Sequence, residues 1–287
     1  MNSGKPFEIG GVRLHVGSSE DSGAQFETLG FLVTPQSQLP GLSNRLVCFV
    51  PDDPRGASFI ELLSIVDRTR ASPAALDLLD AGRGPIAVIL STEDAFGLAS
   101  QLGDERIEPR HINRKWILAS QVLNVEVTTL NVPRIVSPLG WTMMQHYTPQ
   151  HYRIPEFVAH PNSVTRFRGA IAVAPEPEKV AERFRGIWGG EVTGNSGRAK
   201  LRIGTATLEI YTSRCLQETF GITVAVSAPK LVGARLEVSD QDALMRWMKP
   251  KGLITLEGAR GALLPPSQAC GCLLTFETPG EALGDYS

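Results

Sequence analysis

The chain has 287 residues, 42% of them apolar and 20% charged, enough to bury a sizeable core across two ordinary domains. With 28 basic residues against 30 acidic ones its formal net charge is −2, which gives neither nucleic acid nor an anionic membrane a reason to bind. No apolar run reaches the roughly 18 to 20 residues of a bilayer span, and the opening MNSGKPFEIGG has no signal-peptide core, so a cytoplasmic protein with a small-molecule ligand is expected.

One pattern recurs four times along the chain: an alternating apolar strand, an acidic turn, an amphipathic helix, and a loop that starts further strands. The first unit, about residues 8–66, opens with Gly11-Val12-Arg13-Leu14-His15-Val16 and turns at Ser18-Ser19-Glu20-Asp21. Phe31–Thr34, Arg45–Val50 and Ser58–Leu63 then read as strands, rich in β-branched and aromatic residues and divided by Pro, Gly and Asp. The second unit, about 84–148, opens with Pro85–Leu90, and Ser91 or Thr92 is placed to cap a helix over Ala95–Leu102. Long strands are predicted over Val122–Leu130 and Trp141–His146, with His111 on a solvated loop before them.

Pro149-Gln150-His151-Tyr152-Arg153-Ile154-Pro155-Glu156, followed by His160-Pro161-Asn162, reads as an ordered connector between domains 1–156 and 157–287. The third unit, about 164–214, has its helix over Glu178–Trp188, with Val180, Ala181, Phe184 and Ile187 at helical spacing and Gly189-Gly190 as the stop. The fourth, about 230–278, repeats the opening as Gly233–Asp240, with a helix from about Asp242 to Met248 and a closing strand at Cys272–Phe276. Cys48, Cys215, Cys270 and Cys272 are too few and scattered for a disulfide framework and read as small buried hydrophobes.

Leu29–Pro35 followed by Gly41–Asn44 and Ile60–Leu63, the phrase Met144-Gln145-His146-Tyr147-Thr148-Pro149, and His160–Ser163 give the chain a resemblance to the glyoxalase-like branch of the vicinal-oxygen-chelate superfamily. The resemblance covers nearly the whole length. It implies an α+β fold of four βαβββ modules, paired into two cup-shaped domains like those of type I extradiol dioxygenases. It also implies a divalent metal held by His on a module's first strand and Glu on its last. Aligned on the strands, the paired slots read Gly11 and Glu61, Pro85 and Gln145, Arg168 and Glu209, and Gly233 and Thr275. Gly and Pro supply no ligand and Arg repels a cation, so no metal site is expected; a metal, if bound, would draw on His15, Glu61 and His146.

Side chains alternate along a strand, so Arg13 and His15 share a face with Gly11, Arg166 shares one with Arg168, and Arg235 with Glu237. Cups lined in this way by fixed charge suit a small acid or enolate held by Arg. The candidate catalytic groups are His15 and Glu61, by proton transfer; the candidate binding groups are Arg13, Gln145, Arg168 and Glu209. Gln145 and His146, being adjacent, face opposite ways, and Gln145 is taken as the inward one. Arg168 and Glu209 are also placed to form a salt bridge across the third module's cup.

Three functions fit these residues: an isomerase- or lyase-type enzyme on a small oxygenated molecule, a non-catalytic binding or sequestering protein, and a metal-dependent dioxygenase or glyoxalase. Pairing of modules within one chain or across a homodimer is left open. No phosphate loop, dinucleotide fingerprint, serine-hydrolase elbow or Cys-x-x-Cys pair is present.

Overall fold

A computed structural model describes residues 5–104, 107–119, 121–132, 139–195, 197–251, 256–258 and 261–279. Among them sixteen strands form two eight-stranded sheets of the same design. In the first, β1 (Glu8–His15), β2 (Ser37–Leu39), β3 (Leu42–Phe49), β4 (Ser58–Ile65), β5 (Gly84–Ser91), β6 (Arg110–Ile117), β7 (Val122–Val132) and β8 (Gly140–His146) run in the order β2-β3-β4-β1-β5-β8-β7-β6. In the second, β9 (Val164–Val173), β10 (Glu191–Asn195), β11 (Arg198–Ile203), β12 (Ala206–Tyr211), β13 (Lys230–Val238), β14 (Leu256–Gly258), β15 (Gly261–Leu264) and β16 (Leu273–Glu277) run β10-β11-β12-β9-β13-β16-β15-β14. Each half-sheet joins its first and last strands in parallel, and the two halves meet antiparallel at β1–β5 or β9–β13. This is the expected four-module α+β architecture, each sheet curled into a near-barrel cup.

The helices follow local chemistry. Ser18 caps α1 (Ser19–Thr28) and Asp240 caps α7 (Gln241–Met248), each accepting from a first-turn amide. Helix α3 (Ala95–Leu102) spans the predicted residues, but its cap is Asp94, whose Oδ1 takes the Gly97 amide at 2.7 Å, not Ser91 or Thr92. Helix α5 (Pro177–Trp188) stops at Gly189, φ 81°. Its buried face, Val180, Ala181, Phe184 and Trp188, joins one apolar core with residues of both sheets. Trp141 of β8 packs against Phe184 and Trp188, with ring centroids 4.5 and 5.7 Å apart.

Several elements depart from expectation. Phe31–Thr34 is not a strand: Phe31 is buried among aromatics, and the Thr34 amide donates singly to the Leu46 carbonyl. His111 lies on β6, paired with Thr128 of β7, and not on a loop. Three further helices decide what each cup holds: α2 (Pro73–Leu79), α4 (Pro155–Val158) and α6 (Ser213–Phe220). Helix α2 lays Ala75, Leu78 and Leu79 over Leu42, Leu63, Ile86 and Ala87 at one end of the first cup. The connector turns back into the other end, where Tyr152 and Phe157 are buried against Leu46, Phe59, Trp116 and Met144. His160, buried, ties the connector down: its Nδ1 accepts from the Leu32 amide at 2.9 Å and its Nε2 lies 2.8 Å from the Cys48 carbonyl.

Candidate functional site

Between α2 and the connector the first cup keeps a cavity of about 520 Å³, in the range of small-molecule pockets. Its polar floor is a continuous relay across six strands. Arg13 on β1 donates from Nε to Glu61 Oε2 on β4 at 2.7 Å and from Nη1 to Asn131 Oδ1 on β7 at 2.7 Å. Asn44 on β3 donates to Glu61 Oε1 at 2.6 Å and accepts from Arg114 Nη1 on β6 at 3.2 Å. Thr142 on β8 donates to Asn131 Oδ1 at 3.1 Å.

Strand register explains the meeting. Arg13 stands opposite Glu61 in the parallel β1–β4 pair, so both side chains leave the sheet on the cup side, two residues beyond Gly11 and Phe59. Arg13 and Glu61 are 5% and 2% exposed, and a buried ion pair of this kind holds only because further hydrogen bonds satisfy its remaining atoms. Arg13 Nη2 makes no hydrogen bond to a described residue, and Arg13 lines the cavity. Leu46, Phe59, Leu63, Ile112, Val127 and Met144 form apolar walls, and Glu108, Arg110 and His111 also line the space.

Of the residues singled out from sequence, the structure brings Arg13 and Glu61 together and places the others elsewhere. His15 lies beyond the cavity, its Nδ1 2.9 Å from the Gly82 carbonyl, with partial burial lowering its pKa. Gln145 faces away from the cup and accepts from the Ala95 amide at 3.1 Å. The inward residue is His146, so the expected parity is reversed by one position: Met144 and His146, not Gln145, share the cup face. Both ring nitrogens of His146 are buried without a hydrogen bond, beside Phe59 and Tyr152, and desolvation lowers its pKa to about 3.

Arg168 and Glu209 do not meet. Arg168 donates to Glu237 and to Asp52 of the first half, at 2.8 Å each. Glu209, fully buried, is held by Arg235 Nη1 at 2.7 Å and Arg198 at 3.2 Å, with a short bond from the Tyr211 hydroxyl. Above that cluster the second cup is filled. Leu216 and Phe220 of α6, with Ile222, Val224 and Val226, pack on Ile171, Val173, Tyr211, Leu263 and Leu273.

Sequence reasoning missed Asn44, Asn131 and Arg114. Asn44 and Asn131 interrupt apolar strands, which is the one signal that would have marked them. Arg114 was lost with β6, whose exposed, charged alternation on an edge strand resembles a loop.

The doubled sheet, the parallel first and last strands and the open cup define the vicinal-oxygen-chelate fold. The chain belongs to the glyoxalase-like domain family, whose model matches residues 12–187. Among solved structures it is similar to a hypothetical protein from Staphylococcus aureus, with 10% identity, 94% of this chain and 99% of that one covered, and a TM-score of 0.62. It is also similar to the 2,3-dioxygenase LapB from Pseudomonas sp. KL28, with 13% identity, coverages of 99% and 96%, and a TM-score of 0.56. At such identities these likenesses show the fold alone. No curated protein matches.

A divalent metal is the group this fold family implies, and the residues of the first cup do not fit it. An added Cβ at Gly11 would lie 1.9 Å from the Phe59 carbonyl oxygen, so that slot has no room for a ligand. Glu61 is already bound by a guanidinium. His15, Glu61 and His146 are not one site: His146 stands six residues along β8 from Gly140, which is level with Ala87 and Arg13, and its ring packs on Phe59 and Tyr152. His15 lies on the other side of that level. No group of three or more His, Cys, Asp or Glu suited to a metal occurs among the described residues.

Proposed function

We propose that the first cup binds a small amphipathic organic anion and moves a proton on it, in isomerase- or lyase-type chemistry, with Arg13 serving where relatives of this fold use a metal. The observation that carries this reading is the Arg13–Glu61 pair at the floor of a cavity with apolar walls. Arg13 and Arg114 against Glu61 leave one net positive charge in the relay, which suits a monoanion. A carboxylate or enolate oxygen can take Arg13 Nη2, while the ligand body lies on Phe59, Val127 and Met144. Glu61 would take a proton from the carbon α to the ligand's carbonyl group, the enolate charge would rest on the carbonyl oxygen at Arg13, and the proton would return to the same or the neighbouring carbon.

The test screens small carboxylic and keto acids by thermal shift, then follows exchange of the ligand's C–H proton in D2O by NMR. The intact protein should bind an acid and wash deuterium into it. Arg13→Met should weaken binding about 10- to 100-fold, the worth of one charge-assisted hydrogen bond. Glu61→Gln should bind at least as tightly but exchange nothing. If no acid binds, or if Glu61→Gln exchanges at the parental rate, the reading fails. Binding without exchange in the intact protein would establish the second reading, a non-catalytic sequestering protein, which is favoured by the engagement of both Glu61 oxygens.

A further inference from the structure

Away from the cavity, where β1 and β5 run beneath the second half of the molecule, two buried polar atoms are left without partners. Glu8 is 4% exposed and Ser91 0%, they face each other across the antiparallel β1–β5 pair, and neither Glu8 Oε2 nor Ser91 Oγ makes a hydrogen bond. Both atoms crowd the same glycine: a Cβ built on Gly56 would lie 2.9 Å from Ser91 Oγ and 3.1 Å from Glu8 Oε2. An ionised carboxylate sealed beside a hydroxyl that gives it nothing is costly. Protonation removes that charge, and a small rotation of either side chain then lets the carboxyl donate to the hydroxyl oxygen.

The charges around Glu8 favour the same state. From the 51–56 segment come Asp52, Asp53 and Arg55; from β9 come Arg166 and Arg168, and from β13 Glu237. All three guanidiniums are already bound by Asp52, Asp53 or Glu237, and Arg55 also reaches Glu93 at the exposed rim. Among the described residues, none of these cations is left over for Glu8. Burial and then the Asp52 carboxylate raise its pKa from 4.5 to about 7, against amide bonds from Asp53 and Asp52 that lower it.

This cluster is also part of the contact between the halves. Asp52 accepts from Arg166, Arg168 and Thr205, at 2.5, 2.8 and 2.5 Å. Gly204, in the turn before Thr205, has φ 67°, and its Cβ would lie 2.7 Å from the Phe7 carbonyl and 3.3 Å from Glu8 Cα.

We propose that Glu8 is a proton site built into the junction of the two cups: protonated, it donates to Ser91 Oγ and leaves Asp52 to hold the second half; on giving its proton to solvent, it sets a second carboxylate against Asp52 and loosens that contact. The stability it contributes is full below its unfolded pKa and is lost as pH rises through about 7.

The experiment uses the full chain and its Glu8→Gln variant, whose amide can donate to Ser91 without titrating. Thermal unfolding should weaken from about pH 5 to pH 8 in the parent but change less in the variant, histidines being common to both. The parent's Glu8 carboxyl carbon, assigned by comparison with the variant, should titrate near 7. Amide protection at residues 204–206 and 166–168, corrected for the base-catalysed rise of intrinsic exchange, should fall through the same range in the parent alone. Titration of Glu8 near 4.5, equal slopes in the two proteins, or unchanged protection at those segments would overturn the proposal. Should the variant fail to fold, the parent's exchange profile, with Ser91→Ala expected to lower its midpoint, decides it.

Discussion

The two cups place a glutamate at the same point and satisfy it in opposite ways. Glu61 stands two residues beyond the Gly11–Phe59 pair, and Glu209 two beyond Gly169–Thr207. In the first cup the cation comes from β1, as Arg13, and the strand opposite carries Ile89; in the second, β9 carries Ile171 and the strand opposite supplies Arg235. Exchanging arginine and isoleucine between neighbouring strands leaves each carboxylate paired. The larger difference lies above the floor. α6 fills the second cup with apolar side chains, while the connector and α2 stop short of filling the first. A repeated fold thus yields one cup with a cavity and one packed by a helix, and what distinguishes them is the inserted helix more than the sheet.

The strongest way to break this comparison is Glu209→Ala. Arg235 would keep Glu277 and Thr207 but lose its fully buried partner, and denaturant unfolding should show a loss of about 3 to 5 kcal/mol. Anion binding in the first cup should be unchanged; a parallel loss of binding would mean that the two floors are one system.

Acid should single out the first cup. His146 is neutral when folded, with its pKa lowered from 6.5 to about 3 by burial, so stability is present above 6.5 and lost as pH falls toward 3. His146→Phe should remove roughly 1.4 kcal/mol per pH unit of that slope, measured as the difference between the two proteins because His160, lowered to about 4, adds its own. An unchanged slope would place His146 in contact with water. The smallest effect is expected from His15→Gln: bonded to Gly82 outside the cavity, it should move stability by less than about 0.5 kcal/mol and leave both binding and exchange intact.

The sheets were legible in the sequence because their strands alternate or run apolar between Pro, Gly and Asp turns, and α5 because apolar residues at helical spacing end at a glycine stop, whereas α3 was placed correctly on the wrong cap. The Arg13–Glu61 pair was legible because a carboxylate in Ile60-Glu61-Leu62-Leu63 needs a cation. What stayed hidden depends on parity and on insertion. One residue of register at β8 exchanged Gln145 for His146, as any period-2 element allows. Arg168 went to Asp52 because Asp52 lies across a contact between halves that no local pattern encodes. α6 has caps at Thr212 and Gly221, but nothing in Ser213–Phe220 says that it folds into a cup and not over its back.

The close approach at Gly11 recurs. Gly140, Gly169 and Gly233 likewise begin parallel pairings, and a Cβ on each would lie 2.2, 2.2 and 2.4 Å from a carbonyl oxygen of the adjoining strand. At each of these four positions any side chain would force two strands apart. A histidine introduced at Gly11 by a single codon change would push two strands apart before it could reach any ion, so converting this cup to metal chemistry would require reshaping the backbone first.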